Sequence, residues 1–329
     1  MPRVIARAAL AVTAAACIAV PLATAAVSAA AASAYSLITL PDDGHGAVYS
    51  FIGSATHTLD MTMYELNDTT AEQDLVADAQ RGVTVKVILD GKHTSKNGPA
   101  YQYLRSNGVG VVYSSSRYYY THEKSIVVDG TSALILTGNL DSTYYASDRD
   151  FGVVDTDAVD AATIQAVFNA DYAHAAITPS DGNDLVWSPT DSQAQLLSLI
   201  NNAQHSLLVE QEEFGDAPLV SALVAAADRG VAVKVVTLNE SSYHANFNAI
   251  TAAGGSVSTY STTGSFYIHA KAIIADYGTS SARIFLGSEN FSSTSLNQNR
   301  ELGLIISDPT VMTQANTTIT SDFTNGTAW

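Results

Sequence analysis

Apolar positions along this chain change their spacing in a repeated order. Leu59–Leu66 and Leu207–Phe214 read as strands. A helical stretch follows each. In the first, Ala71, Leu75 and Ala79 fall four apart on one face, and Thr69 with Glu72 has the form of a capping box. Gly82 and Gly230 stand where a helix C-terminus favours a left-handed residue. Val83–Leu89 and Val231–Leu238 are then almost wholly apolar, as strands buried on both faces are. Strands alternating with helices predict an α/β fold whose mixed sheets are mainly parallel.

The two series are copies. Ala79–Val87 matches Ala227–Val235 at an offset of 148 residues. A repeat of that period indicates domain duplication. The turn-rich run Thr178–Asp184 is the expected joint, giving halves at 35–177 and 185–329 around a linker at 178–184. The halves are expected to pack about a pseudo-twofold axis, as an internal version of a symmetric dimer, so that one chain suffices and acts as a monomer.

Residues 1–34 differ in character. Arg3 and Arg7 precede an Ala-rich apolar stretch, and small-residue cleavage patterns occur at Ala23–Ala25 and Ala32–Ala34. This is the pattern of a secretory signal peptide cut near residues 25–34, and it predicts a secreted protein. Pro21 and the low Leu content argue against a membrane anchor, and the residues before Cys17 only weakly resemble a lipidation motif. Cys17 is the single cysteine, so a chain cut after it has no disulfide, no thiol nucleophile and no cysteine-ligated zinc. Without Arg3 and Arg7, the 15 basic residues become 13 against 32 acidic ones, a formal charge of −19. Such a charge repels polyanions and argues against a dedicated nucleic-acid binder.

The candidate chemistry also comes in pairs. His122-Glu123-Lys124 and His269-Ala270-Lys271 each open an apolar strand, and each closes with an aspartate, Asp129 or Asp276, in the form H-x-K-x4-D. Side-chain period two puts His and Lys on one face of the strand. Leu136-Thr137-Gly138-Asn139 aligns with Gly287-Ser288-Glu289-Asn290, and eleven residues past each Asn stands a carboxylate, Asp150 or Glu301. Two histidines on opposite sides of a phosphate can divide nucleophilic attack from proton transfer.

The duplicated H-x-K-x4-D followed by G-S-x-N resembles the phospholipase D superfamily, over nearly the whole mature chain from about Ala47 to Asp308. Leu136 and Thr137 replace the Gly and Ser of that pattern in the first half. The resemblance implies a covalent phosphohistidine mechanism, with His122 as nucleophile and His269 as general acid and base, although the pseudo-symmetry also allows the reverse. Lys124, Lys271, Asn139 and Asn290 would hold the phosphate oxygens, with Thr137 and Ser288 in support. Asp150 and Glu301 would bind the distal ring nitrogens. Asp129 and Asp276 face away from the lysines and read as structural, bonding turn amides near positions such as Gly130. No metal or other cofactor is implied.

Around this set, Tyr118 and Tyr120 are expected at the cleft mouth as substrate contacts, or else as half-buried strand-edge tyrosines. Glu65 and Glu213, related by the offset, either line the cleft or pair with basic residues. The other histidines stand outside the H-x-K-x4-D motifs and default to surface or packing roles. For substrate, export and acidity favour a phospholipid headgroup, hydrolysed or exchanged at a transiently contacted membrane surface. A cardiolipin synthase-like transferase is a variant of that reading. A secreted nuclease or general phosphodiesterase is the alternative, and a non-catalytic binding protein on the same scaffold is a third.

Overall fold

The computed structural model describes residues 1–5, 8–11 and 33–329. The segment read as a signal peptide, with Cys17 and both cleavage patterns up to residue 32, falls mainly outside the described residues.

The first half runs β1 (Tyr35–Leu40), α1 (Gly46–Ile52), β2 (Thr58–Met63), β3 (Leu66–Asn67), α2 (Thr69–Gln80), β4 (Thr84–Leu89), α3 (Thr94–Ser106), β5 (Gly110–Tyr113), β6 (Lys124–Val128), β7 (Ser132–Leu136), β8 (Leu140–Asp141), β9 (Asp148–Asp155) and α4 (Ala158–Tyr172). The second half runs β10 (Leu185–Ser188), α5 (Ser192–Asn202), β11 (Ser206–Gln211), α6 (Ala217–Asp228), β12 (Ala232–Leu238), a 3-10 turn, α7 (His244–Ala252), β13 (Ser256–Tyr260), β14 (Tyr267–Ile268), β15 (Lys271–Ala275), β16 (Arg283–Gly287), α8 (Ser293–Asn297), β17 (Glu301–Ile306), α9 (Pro309–Asn325) and β18 (Thr327–Ala328).

Each half builds one mixed sheet, with the order β1-β9-β7-β6-β2-β4-β5 in the first and β10-β17-β16-β15-β11-β12-β13-β18 in the second. Parallel pairing runs through β2-β4-β5 and β11-β12-β13, where helices make the crossovers, and recurs in the two short pairs β14-β9 and β3-β8. The histidine-bearing side is antiparallel instead, because short turns join β6 to β7 and β15 to β16 and a hairpin cannot connect parallel neighbours. The sheets are thus less parallel than their apolar strands suggest.

Local signals in the sequence act as expected, with two shifts. Gly82 and Gly230 have φ of 99° and 88°, the left-handed region that lets the chain turn from helix into strand. Asp68 caps α2 in place of Thr69, its carboxylate accepting from Thr70 and Ala71 N–H. The first strands are shorter than the apolar run implies, since β2 and β11 end at Met63 and Gln211. The residues just beyond them, Tyr64 and Glu212, approach the histidines.

Three apolar clusters form the core. One fills the first half under α1, α2 and α3, and another fills the second under α5, α6 and α7. The third lies between the halves, where Val127, Phe151, Val153 and Ile164 meet Trp187, Ile274, Leu286 and Leu302. The β6-β7-β9 and β15-β16-β17 regions therefore share one core, which fixes the two histidine strands relative to each other.

Candidate active site

The histidines enter the core by pairing with the opposite half. His122 and Glu123 N–H both donate to Arg300 C=O at 2.9 Å, and Arg300 N–H donates to Tyr120 C=O at 2.9 Å. On the other side β14 pairs with β9, and His269 N–H donates to Arg149 C=O at 3.2 Å. Each His therefore lies beside the carboxylate of the other half. Ion pairs of the buried Arg149 and Arg300 hold these crossings. Arg149 binds Asp322 and Asp42 at 2.6 and 2.5 Å, and Arg300 binds Asp171 at 2.8 Å.

His122 Nδ1 lies 2.7 Å from Glu301 Oε2, and His269 Nδ1 lies 3.0 Å from each oxygen of Asp150. A carboxylate on Nδ1 fixes the ring with its proton there and leaves Nε2 for chemistry. Both carboxylates are buried and held from behind. Glu301 accepts from Ser288 and Ser295 hydroxyls at 2.7 Å and from Asn299 Nδ2 at 2.9 Å. Asp150 accepts from Thr137 Oγ1 at 2.6 Å. Thr137 and Ser288 thus support the carboxylates that orient the rings, and are committed there instead of to a phosphate.

Leu136 does not disturb this geometry. Thr137 N–H bonds Phe151 C=O at 2.9 Å, as Ser288 N–H bonds Leu302 C=O at 3.0 Å. The halves exchange bulk: Gly287 leaves room for the buried side chain of Glu289, whereas Leu136 goes with Gly138 two residues on, where a Cβ would collide with Asp150.

Lys124 and Lys271 are fully buried. Lys124 Nζ donates to His122 C=O at 2.6 Å and stands 5.0 Å over the ring of Tyr64. Burial pushes its ammonium pKa down to about 7. Lys271 Nζ bonds His269 C=O and lies 3.0 Å from Glu212. Two sequestered ammonium groups beside two imidazoles form a local anion site in an acidic protein, since a buried cation is stable only with anionic or dipolar partners. Asn139 and Asn290 each keep a buried, unpaired Oδ1, and Asn290 Nδ2 points at Glu212 from 3.4 Å.

The two histidines differ in electrostatics. Burial lowers the His122 pKa to about 4, against the opposing pull of Glu301. Burial also works against charge on His269, but Asp150 and Glu212 outweigh it and the pKa is raised. The surroundings thus favour the neutral ring at His122 and the charged ring at His269.

The remaining candidates occupy other places. The carboxylates of Asp129 and Asp276 bond mainly the segments that precede the neighbouring strand rather than turn amides after them, and Asp276 also accepts from the Ser281 hydroxyl at 3.3 Å. Asp129 accepts from Thr56, His57 and Thr58 N–H, and Asp276 from Gln204, His205 and Ser206 N–H, so each pins the loop that enters the neighbouring strand. The chain turns back there with Asp129 and Asp276 at φ of 52° and 54°. Tyr118 packs on Arg300 and accepts a hydrogen bond from it, while Tyr120 packs on Tyr64 and His93. Glu65 lies 3.4 Å from Lys96 at the cleft wall, and Glu213 is half-buried beside Ser292.

Sequence reasoning missed Glu212 and Tyr64, which differ from each other and so left no mark in the repeat. It also placed His45 and His93 away from the site. His93 Nε2 lies 3.2 Å from Tyr64 Oη, and His45 stacks on Tyr145 in the pocket wall. That pocket, of about 510 Å³, opens on His269 and is lined by Asn139, Asp148, Glu212, Tyr144, Tyr145 and Tyr267 among others. Asp148, Asp150 and His269 are the one group among the described residues with metal-ligand spacing, their donor atoms lying within 4.8 Å of one another. Asp150 and His269 already bond each other there.

Residues 48–172 and 196–323 match the protein family described as "Cardiolipin synthase, PLD-like domain". The chain belongs to this family, and with it to the phospholipase D superfamily, with the duplicated domain in one polypeptide. Among curated proteins, it is similar to the cardiolipin synthase of Halalkalibacterium halodurans, 27 % identical over 319 residues. That match covers 82 % of this chain and 61 % of the relative, so the chain spans about three-fifths of the relative's length. Two solved structures share the fold. Phosphatidylserine synthase of Haemophilus influenzae superposes with a TM-score of 0.70 at 12 % identity, over 90 % of this chain and 86 % of that one. Polyphosphate kinase of Porphyromonas gingivalis superposes with a TM-score of 0.70 at 16 % identity, over 87 % of this chain and 46 % of that one.

Proposed function

We propose that this protein cleaves the headgroup ester of a phospholipid through a phosphohistidine on His122, passing the phosphatidyl group to water or to an alcohol. The observation that carries this reading is the pair of mirrored His–carboxylate contacts, His122–Glu301 and His269–Asp150, beside two buried lysines.

In the first step His122 Nε2 attacks phosphorus. The bond from phosphorus to the leaving oxygen breaks, and His269 Nε2–H gives that oxygen its proton. Lys124, Lys271 and the two asparagine amides stabilise charge on the non-bridging oxygens. In the second step His269, now neutral, takes the proton of the incoming water or alcohol. The new oxygen bonds phosphorus, the N–P bond breaks, and His122 is restored.

The substrate class rests on the family and on the pocket beside His269. Its tyrosine hydroxyls and carboxylates can accept from the hydroxyl or ammonium groups of a polar headgroup or acceptor. The charge of −17 for the full chain counts against a nucleic-acid substrate. Export and cleavage of residues 1–34 are part of the proposal. Among the described residues no helix is long and apolar enough to cross a membrane.

The test is to incubate the protein and a His122→Ala variant with phosphatidylcholine vesicles and ethanol. Wild type is expected to release choline and form phosphatidylethanol, and the variant to do neither. Absence of both products with wild type would reject this substrate and turn the search to nucleic acids and other phosphodiesters.

A further inference from the structure

The two half-sites differ most at one position. The repeat offset of 148 sets Tyr64 against Glu212, and each is the first residue past the end of its strand, β2 or β11. Tyr64 presents its ring to His122 at 4.5 Å between centroids and 69° between planes. Glu212 presents a charge to His269. Its Oε2 lies 3.6 Å from His269 Nε2, 3.0 Å from Lys271 Nζ and 3.4 Å from Asn290 Nδ2, and its Oε1 accepts from Tyr267 Oη at 3.2 Å. Both rings already carry a carboxylate on Nδ1, so that partner does not tell them apart. A second carboxylate at Nε2 does, because it favours imidazolium where an aromatic ring brings no charge.

We propose that Glu212 breaks the equivalence of the two histidines: it holds His269 as the imidazolium in the free protein and leaves His122, beside Tyr64, as the neutral ring. On the functional reading above, on which the catalytic roles rest, this makes His122 the nucleophile and His269 the acid.

The surroundings support the assignment. His269 is faced by Asp148 and Asp150 from β9, Tyr267 from β14, Lys271 from its own strand and Glu212 from the segment after β11. His122 is faced by Glu301 from β17, Lys124 from its own strand, Lys271 from β15 and Tyr64 from the segment after β2, and it also feels Glu212. Burial opposes charge on Glu212, yet Lys271 and His269 hold its carboxyl well below the usual range. So persistent an anion is too weak a base to take a proton from water or an alcohol. Its effect is therefore electrostatic, and Glu212 is a positioning residue for the charge state of His269. Its Oε2, converged upon by Lys271, His269 and Asn290, also stands where a phosphate oxygen would bind those same groups, so an arriving substrate must share Lys271 with it or displace it.

The test needs no substrate. Ring titrations by NMR on histidine-labelled protein, with His122→Gln and His269→Gln used to assign the signals, compare wild type with E212Q and E212D. In wild type His269 is expected to titrate above its ordinary value of 6.5 and His122 well below it. E212Q, isosteric but uncharged, should lower the His269 value by about one unit or more while moving His122 less, and E212D should restore much of the shift. An unmoved His269 titration in E212Q, or a His122 ring that keeps its proton to higher pH than His269, would overturn the proposal. Turnover gives a second reading. In E212Q the alkaline limb of kcat/KM should move to lower pH, and alkyl phosphodiesters should slow more than bis(p-nitrophenyl) phosphate, whose leaving group needs no acid. Equal slowing of both would also overturn it. If wild type cleaves no phosphodiester, the functional reading fails, and the ring titrations still decide what Glu212 does.

Discussion

His122 and Glu301 are 179 residues apart in the chain and 2.7 Å apart in the structure. Every intact half-site in this protein is assembled from both halves, because the strand carrying one histidine pairs through Arg300 or Arg149 with the segment carrying the other half's carboxylate. Neither half orients its own imidazole.

On the proposed mechanism, Glu301→Gln should therefore impair His122, the nucleophile of the opposite half. It preserves the volume of the side chain but presents an amide to the ring, favouring the wrong tautomer. A loss in kcat of about 10³- to 10⁴-fold is expected, in line with loss of the orienting acid in a catalytic triad. Single-turnover formation of the phosphohistidine should fall in proportion, and the circular dichroism spectrum should be unchanged.

The hydroxyls behind the carboxylates give a more selective test. Thr137→Val removes the 2.6 Å bond to Asp150, and Ser288→Ala removes the 2.7 Å bond to Glu301. Each should lower kcat by about tenfold, the worth of one hydrogen bond to a charged group, with little change in KM. A rise in KM at constant kcat would mean that the hydroxyls bind the phosphate after all.

The pH profile follows from the two rings. On the proposed mechanism attack needs His122 neutral, and its pKa of about 4 puts the acid limb of kcat/KM near pH 4, with activity rising as pH climbs through that value. Protonation of the leaving group needs His269 charged, and its raised pKa puts the alkaline limb above 6.5, with activity falling beyond it. A bell with these two limbs is expected from initial rates on a soluble phosphodiester.

Lys124 adds a dependence of its own. Burial brings its pKa to about 7, so above that pH the free site loses one of its cations. Binding of tungstate or inorganic phosphate should draw a proton onto Lys124 and weaken as pH rises past 7. Calorimetry in buffers of different ionisation enthalpy should register the proton uptake, and Lys124→Met should abolish it.

Asp129 carries stability. Its carboxylate accepts three backbone N–H bonds and the Thr56 hydroxyl, and these partners hold its pKa below the usual range despite the opposing effect of burial. A depressed carboxylate stabilises the fold above the unfolded-state pKa, and that contribution is lost as pH falls through the folded-state value. Asp129→Ala should lower stability to urea by about 2 kcal/mol and should lower stability more than kcat.

The sequence by itself determined the duplication, the order of strand and helix in each half and the eight polar residues of the candidate set. Each of these is written locally: in the offset of 148, in Gly82 and Gly230 where the chain must turn left-handed, and in the spacing of His, Lys and Asn along strands of period two. The tertiary structure decided the rest, because it depends on groups that meet only when the two sheets share a core. The crossing of His122 to Glu301 and of His269 to Asp150 needs strands from different halves to pair. The direction of the strands around β6 and β15 needs the turns that follow them. The entry of Tyr64 and Glu212 into the site needs the chain to leave β2 and β11 early. Glu212 left no signal in the repeat, since comparison of two copies finds what they hold in common, and Glu212 acts through what they do not.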